Sequence, residues 1–155
     1  MKISTRGEYG LRAMLELALH FGNHSPIRNI DISRRQGIPE QYLKQLIPIL
    51  RKSGLVKSFR GPNGGHTLSQ KPEAISIAEI IRALEGPLAP MDCVADSDHF
   101  DCTFTAQCAI REVYLAVTQA TEQILESVTL ADLCKKKTAK EYRENSVIRL
   151  TALRE

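Results

Sequence analysis

A chain of 155 residues has room for one small domain and a pairing arm, and is too short for two large independent cores. With no tryptophan and 5% aromatics it reads as helical and Leu/Ile/Ala-packed; it opens on no charged-then-apolar leader and has no run of ~18 apolar residues, which points to a soluble, cytoplasmic protein with no membrane partner. The net charge of +3 is unevenly spread: residues 1–85 hold 13 Lys/Arg against 7 Asp/Glu, or +6, while residues 86–155 hold 8 against 11, or −3.

Thr5-Arg-Gly-Glu8 has the form of a capping box, so a first helix is expected to start at Thr5, with Ala13, Met14, Leu17, Ala18 and Phe21 as its buried face and Gly22-Asn23 as its end. Asn29 suits the N-cap of a second helix, Ile30 to Gln36. Gly37 then provides a left-handed stop and Pro39 a pre-set helical start. Helix, glycine turn, helix is the signature of a DNA-reading unit. In the second of these helices Leu43, Leu46, Ile47 and Leu50 form an apolar stripe, leaving Glu40, Gln41, Lys44 and Gln45 outside, where long polar side chains suit base edges in a major groove. Tyr42 suits either a phosphate or the core, and Arg34 is a further candidate contact on the preceding helix. Pro48 removes a helical hydrogen bond, so a kink or change of direction is expected there, with Pro39 to Ile47 as the reading half.

Leu55 to Phe59 and His66 to Ser69 read as paired strands around the tip Arg60-Gly-Pro-Asn-Gly-Gly65. Arg60, Gly61, Asn63 and Gly64 are placed by that tip for a narrow minor groove or a phosphate. The basic half of the chain coincides with this unit, as phosphate binding requires, although helix-turn-helix patterns also occur in domains that bind only protein. Ser76-Ile-Ala-Glu79 is a second capping box, starting a helix with Ile77, Ile80, Ile81 and Leu84 inward; Gly86-Pro-Leu-Ala-Pro90 ends it.

Cys93, Cys102 and Cys108 follow, in a segment with Asp92, Asp96, Asp98 and Asp101 and no Lys or Arg between Gly86 and Cys108. Three soft thiolates suit an iron-sulfur cluster or zinc, and His99 would complete a Cys3His zinc set; a disulfide would leave one thiol over. Ala106, Ile110, Val113, Val117, Ala120 and Ile124 alternate in steps of four and three, a seam that fits a dimer helix and that could otherwise pack on its own domain. Thr129-Leu-Ala-Asp132 opens a short helix. Cys134 reads as a small apolar residue, and the charged end, with Lys135-Lys-Lys137, suits DNA contact or solubility; Val147, Ile148, Leu150 and Leu153 suggest a terminal docking helix.

Asp31-Ile-Ser-Arg-Arg-Gln-Gly-Ile38, Tyr42-Leu-Lys-Gln-Leu46, Leu50-Arg-Lys-Ser-Gly-Leu-Val56 and Arg60-Gly-Pro-Asn-Gly-Gly65, with the opening Met1-Lys-Ile-Ser-Thr-Arg-Gly-Glu-Tyr9, together resemble the Rrf-type winged-helix transcription regulators, the group containing IscR, NsrR, RirA and CymR. The similarity spans roughly residues 1–133. It implies a mainly α fold with a small β-wing: a winged helix-turn-helix domain over 1–86, a cysteine-bearing loop over 87–108, a dimerisation helix and short following helix over 106–133, and a charged tail over 134–155. It also implies a homodimer on a partly palindromic double-stranded DNA operator, controlled by a cluster on Cys93, Cys102 and Cys108, 2Fe-2S ahead of 4Fe-4S, that senses iron-sulfur status, redox state or nitric oxide. IscR-like members have a histidine where this chain has Arg111, so the fourth ligand falls to Glu8 of the partner subunit, as NsrR-like members place an aspartate at the matching position, to His99, or to a small molecule. Lys44 replaces the acidic residue of the IscR reading helix, so the operator preference of IscR does not transfer. The alternative is a cluster-free or zinc-binding regulator that docks on a partner enzyme, as CymR-like members do. An enzyme is not expected, because no Ser/His/Asp or Cys/His pair falls in a catalytic context.

Overall fold

Two glycines on the first helix let a later helix come close enough to cap it. The computed structural model describes residues 3–23, 25–95 and 108–139. Its elements are α1 (Thr5–Leu19), α2 (Asn29–Gln36), α3 (Glu40–Lys52), β1 (Val56–Phe59), β2 (Gly65–Leu68), a 3-10 turn (Pro72–Ala74), α4 (Ile77–Glu85), the one-turn α5 (Asp92–Ala95), α6 (Ala109–Ser127) and a helical stretch, α7, at residues 130–139. This is the mainly α fold with a two-stranded antiparallel sheet that the pattern predicted. A side chain at Gly7 would collide with Glu85, and one at Gly10 with Leu84. That closeness lets Glu85 Oε1 accept from the backbone N–H groups of Ser4 and Gly7, both at 3.0 Å, and from Ser4 Oγ at 2.5 Å.

The cap of α1 is therefore Ser4, whose Oγ accepts from Gly7 N, not the expected Thr5. The expected Glu8 box does not form: Glu8 points away from the cap and pairs with Arg12 at 2.5 Å. A second local expectation shifts in the same way. Arg28, not Asn29, precedes α2, and its side chain bonds Asp31 at 3.0 Å while Asn29 lies in the first turn, its Oδ1 buried with no hydrogen bond among the described residues. In both cases the helix begins one residue before the position the local pattern gave it. Phe21, expected inside, is 42% exposed, since it follows the end of α1 and no longer shares its inner face.

The core joins Met14 and Leu17 of α1, Ile32 of α2, Leu43, Leu46, Ile47 and Leu50 of α3, and Ile80, Ile81 and Leu84 of α4. Pro48 does not end α3, which runs on to Lys52 as one helix. The carbonyl that Pro48 leaves without an N–H partner four residues on belongs to Lys44, an exposed residue, and the buried stripe runs on either side of it from Leu43 to Leu50. Glu16 is 2% exposed, and its carboxylate accepts from Arg35 at 3.0 Å and Gln36 at 2.5 Å, tying α1 to the end of α2.

The Ser76–Glu79 capping box forms as expected, with Ser76 N donating to Glu79 at 2.8 Å and Glu79 N to Ser76 Oγ at 3.2 Å. The chain after α6 returns to this point: Ile77 N donates to Val128 O at 2.9 Å and Leu130 N to Ile75 O at 3.0 Å. Leu130 is fully buried, so α7 closes the core. Thr129 and Asp132 make the expected reciprocal cap of α7. Arg82 on α4 bridges Glu122 at 3.2 Å and Glu126 at 2.5 Å on α6, which hold its guanidinium above the ordinary arginine range. The seam of α6 nevertheless stays largely uncovered: Ile110 is 63% and Ile124 65% exposed, Val113 and Val117 are also exposed, and the one buried residue of α6 is Thr118.

Glu85→Ala removes three acceptor contacts at the start of α1 and should lower stability by about 1–2 kcal/mol. The measurement is the urea midpoint; an unchanged midpoint would show that Ser4 alone caps α1.

Candidate nucleic-acid interface and cysteine site

Gly37 takes φ +64°, a left-handed conformation that turns the chain between α2 and α3, with Ile38 N closing on Ser33 O at 3.2 Å. Pro39 is the N-cap of α3 rather than its first residue, and its carbonyl accepts from Tyr42 N at 2.9 Å and Leu43 N at 3.2 Å. Burial of the Leu43, Leu46, Ile47 and Leu50 stripe leaves Gln41, Lys44 and Gln45 exposed and Glu40 partly so. Glu40 pairs with Lys44 at 3.4 Å, an exposed pair worth roughly 0.3–0.5 kcal/mol that a phosphate displaces cheaply. Arg34 is exposed in the last turn of α2. Tyr42 is half-buried against the core and meets the Tyr9 ring edge-on at 5.3 Å, with Arg12 over Tyr9.

In the wing β1 and β2 pair with Val56 opposite Leu68 and Phe59 opposite Gly65. Gly61 to Gly64 close a tight turn through Gly64 N to Gly61 O at 2.9 Å, with Pro62 and Asn63 in its centre. Arg60, Gly61 and Asn63 are exposed and Gly64 partly so. Gly65 lets the wing lie against the segment before α2, where a side chain would stand 2.7 Å from Ile27 backbone atoms; Ile27 and His66 exchange backbone hydrogen bonds at 2.9 and 2.8 Å. This contact brings Arg28 beside the wing tip, in a hollow it shares with Ser25, Asn63 and Gly64. Arg28 was not among the sequence candidates. Its place depends on the Ile27–His66 bridge, and only its charge at the start of α2 hinted at a role.

Cys93 lies in α5 and Cys108 is the N-cap of α6; both are partly buried and neither is in a disulfide. Arg111, one turn into α6, donates from Nε to Cys93 O at 3.0 Å. Cys102, His99, Asp96, Asp98 and Asp101 lie outside the described residues, as does the end of the tail with Val147 to Leu153. Among the described residues no three His, Cys, Asp or Glu side chains converge. Two soft donors of the kind a thiolate centre uses, Cys93 and Cys108, sit on adjacent elements joined by the Arg111–Cys93 hydrogen bond. Glu8 is exposed and held by Arg12. Cys134 sits in α7, where burial raises its thiol pKa, as suits an inert apolar residue. Among the described residues no helix is long and apolar enough to cross a membrane.

The family model Rrf2, described as "Iron-dependent Transcriptional regulator", matches residues 3–136. The HTH-type transcriptional regulator CymR of Bacillus subtilis strain 168 is 41% identical over 133 residues, covering 86% of this chain and 89% of the relative. IscR of Vibrio campbellii is 36% identical over 135 residues, covering 87% and 78%. The solved structure of CymR, the global cysteine regulator of B. subtilis, superposes with a TM-score of 0.72 at 40% identity, covering 88% of this chain and 98% of that one. T. potens IscR does so with a TM-score of 0.70 at 42% identity, covering 88% of each. These relatives are named as regulators, not enzymes.

His66 bridges the wing to Ile27 and shares a hydrogen bond with Ser58 Oγ at 2.9 Å. Burial first, and Arg51 second, depress its pKa from the ordinary 6.5. The unfolded chain then binds the His66 proton more readily than the folded one, so this contribution to stability is present above pH 6.5 and is lost as pH falls below it. His66→Gln should flatten the decline in urea midpoint between pH 7.5 and 5.5; an equally steep decline in the variant would assign it to other groups.

Proposed function

Because the chain belongs to the Rrf2 family of transcriptional regulators, we propose that it works as a homodimer on a partly palindromic DNA operator, under control of an iron-sulfur cluster on Cys93, Cys102 and Cys108. The observation that carries the dimer is the bare seam of α6. Each large apolar side chain gains roughly 1.5–3 kcal/mol on full burial, so Ile110, Val113, Val117 and Ile124, all about half exposed or more, favour a second copy of the same helix. With α6 paired, two α3 helices are presented as a symmetric set, which a palindromic operator matches. Gln41, Lys44 and Gln45 then read base edges, with Glu40 beside them. Arg34, Arg60, Asn63 and the backbone at Gly61 and Gly64 meet phosphate or minor groove, and Arg28 joins them at the wing. Tyr42 supports α3 through Tyr9.

When bound, a cluster supplies chemistry that responds to iron, oxidants or nitric oxide. Cys93 and Cys108 would hold it from α5 and from the start of the dimer helix, with the fourth ligand from His99 or from Glu8 of the partner subunit. Glu8 would first leave Arg12. A second reading, favoured by the 41% identity to CymR, keeps dimer and operator but leaves the cysteines to zinc or to thiol chemistry, with a partner enzyme docking on the protein.

Anaerobic purification with iron and sulfide analysis separates the two readings. The cluster reading expects brown protein with iron and sulfide that Cys102→Ala loses together. Colourless wild-type protein lacking both supports the CymR-like reading. Arg60→Ala should weaken operator binding about tenfold across sequences and reduce its salt dependence while leaving the dimer intact. Wild-type affinity in that variant would remove the wing from the interface.

A further inference from the structure

α5 is a single turn with no buried residue, and a helix that short does not hold itself together. After Leu88 the chain buries no side chain before this turn ends at Ala95. Among the described residues, the hydrogen bond that joins α5 to α6 is Arg111 Nε to Cys93 O. Arg111 Nε thus gives the Cys93 carbonyl a donor from the neighbouring helix. Arg111 in turn lies three residues after Cys108, on the same side of α6. One guanidinium thus links the backbone of the first cysteine to the helix that starts at the third. Its two Nη groups have no partner among the described residues.

From this arrangement we infer that Arg111 is a positioning residue, which clamps α5 onto α6 and holds Cys93 and Cys108 ready to bind one centre together. The inference rests on the cluster reading for its purpose but not for its geometry. Fourteen residues separate the two cysteines, and closing a chain of that length costs entropy each time the sulfurs meet. A clamp at Cys93 O meets that cost once, before any metal arrives, so ligand capture and retention gain from pre-organisation.

The test uses the full chain in two forms. With Cys102→Ser and Cys134→Ser in place, Cys93 and Cys108 are the remaining thiols; one equivalent of oxidised glutathione converts them to a disulfide and releases two equivalents of reduced glutathione. Arg111→Ala should slow closure of the Cys93–Cys108 bond about tenfold without moving the urea midpoint. Arg111→Lys keeps the charge but lacks Nε, and should be as slow as Arg111→Ala. A rate in Arg111→Ala that is unchanged or faster overturns the clamp, and a wild-type rate in Arg111→Lys assigns the effect to charge and overturns it too. With all cysteines native and the protein loaded anaerobically with ferrous iron and sulfide, Arg111→Ala should also release iron to a chelator about tenfold faster. Wild-type protein that takes up neither iron nor sulfide defeats the cluster reading alone, and the disulfide rate still decides the role of Arg111.

Discussion

Burial of Leu43, Leu46, Ile47 and Leu50 determines what α3 shows to its surroundings. Once this stripe meets Met14, Leu17 and Ile32, the helix has no rotational freedom left, and Gln41, Lys44 and Gln45 must face outward. A one-residue change in the spacing of the stripe would turn the polar face through about 100° and bury a lysine instead. The polar face has little binding energy of its own, so its orientation is borrowed from the core. Tyr42 shows the same dependence: its ring is used against Tyr9 to seat the start of α3.

The wing is positioned by a different constraint. Two four-residue strands do not form a stable sheet alone, and here the pair is joined to the segment before α2 by the Ile27–His66 bonds. Gly65 makes that approach possible, because any side chain there would meet the Ile27 backbone. The bridge carries Arg28 to the wing tip and leaves Phe59 and Phe21 at the rim of an apolar hollow that reaches Leu17. Tip glycines thus have two distinct tasks: Gly61 and Gly64 turn the chain, and Gly65 lets the turned ribbon dock.

Helices and their buried faces were legible in the sequence because their signals are periodic and local: the α3 and α4 stripes and the Ser76–Glu79 box all stand where the pattern put them. What sequence reasoning missed depends on partners distant along the chain. Thr5 and Glu8 match a capping box, yet Ser4 and Glu85 supply the cap, because α4 crosses α1 at Gly7 and Gly10 and delivers a stronger acceptor. Pro48 breaks helices in isolation, but α3 continues through it to Lys52, with its buried stripe packed on both sides of the proline. Among the candidate DNA contacts, Gln41, Lys44 and Gln45 could be picked out by elimination from the stripe, whereas Arg28, and Arg111 beside the cysteines, could not. Each is placed by a contact between segments, and no spacing within either segment encodes it.

α4 occupies the crossing point of the molecule. Its Ser76 end pairs with the chain beyond α6, its middle reaches α6 through Arg82, and its last turn caps α1 and fills the space above Gly10. The Arg82 pairs are partly exposed and each is worth little alone, so they steer α6 more than they fasten it. The Leu130 anchor, by contrast, is fully buried, and it fixes the far end of α6 to the domain. The end of α6 opposite this anchor carries Cys108 and Arg111, and its hydrogen bond to the domain side among the described residues is that from Arg111 to Cys93 O. On the dimeric reading, a change at that end alters the angle between two copies of α6 before it disturbs any core contact, and each reading helix follows its own rigid domain. Control of DNA binding then needs no rearrangement inside the helix-turn-helix unit.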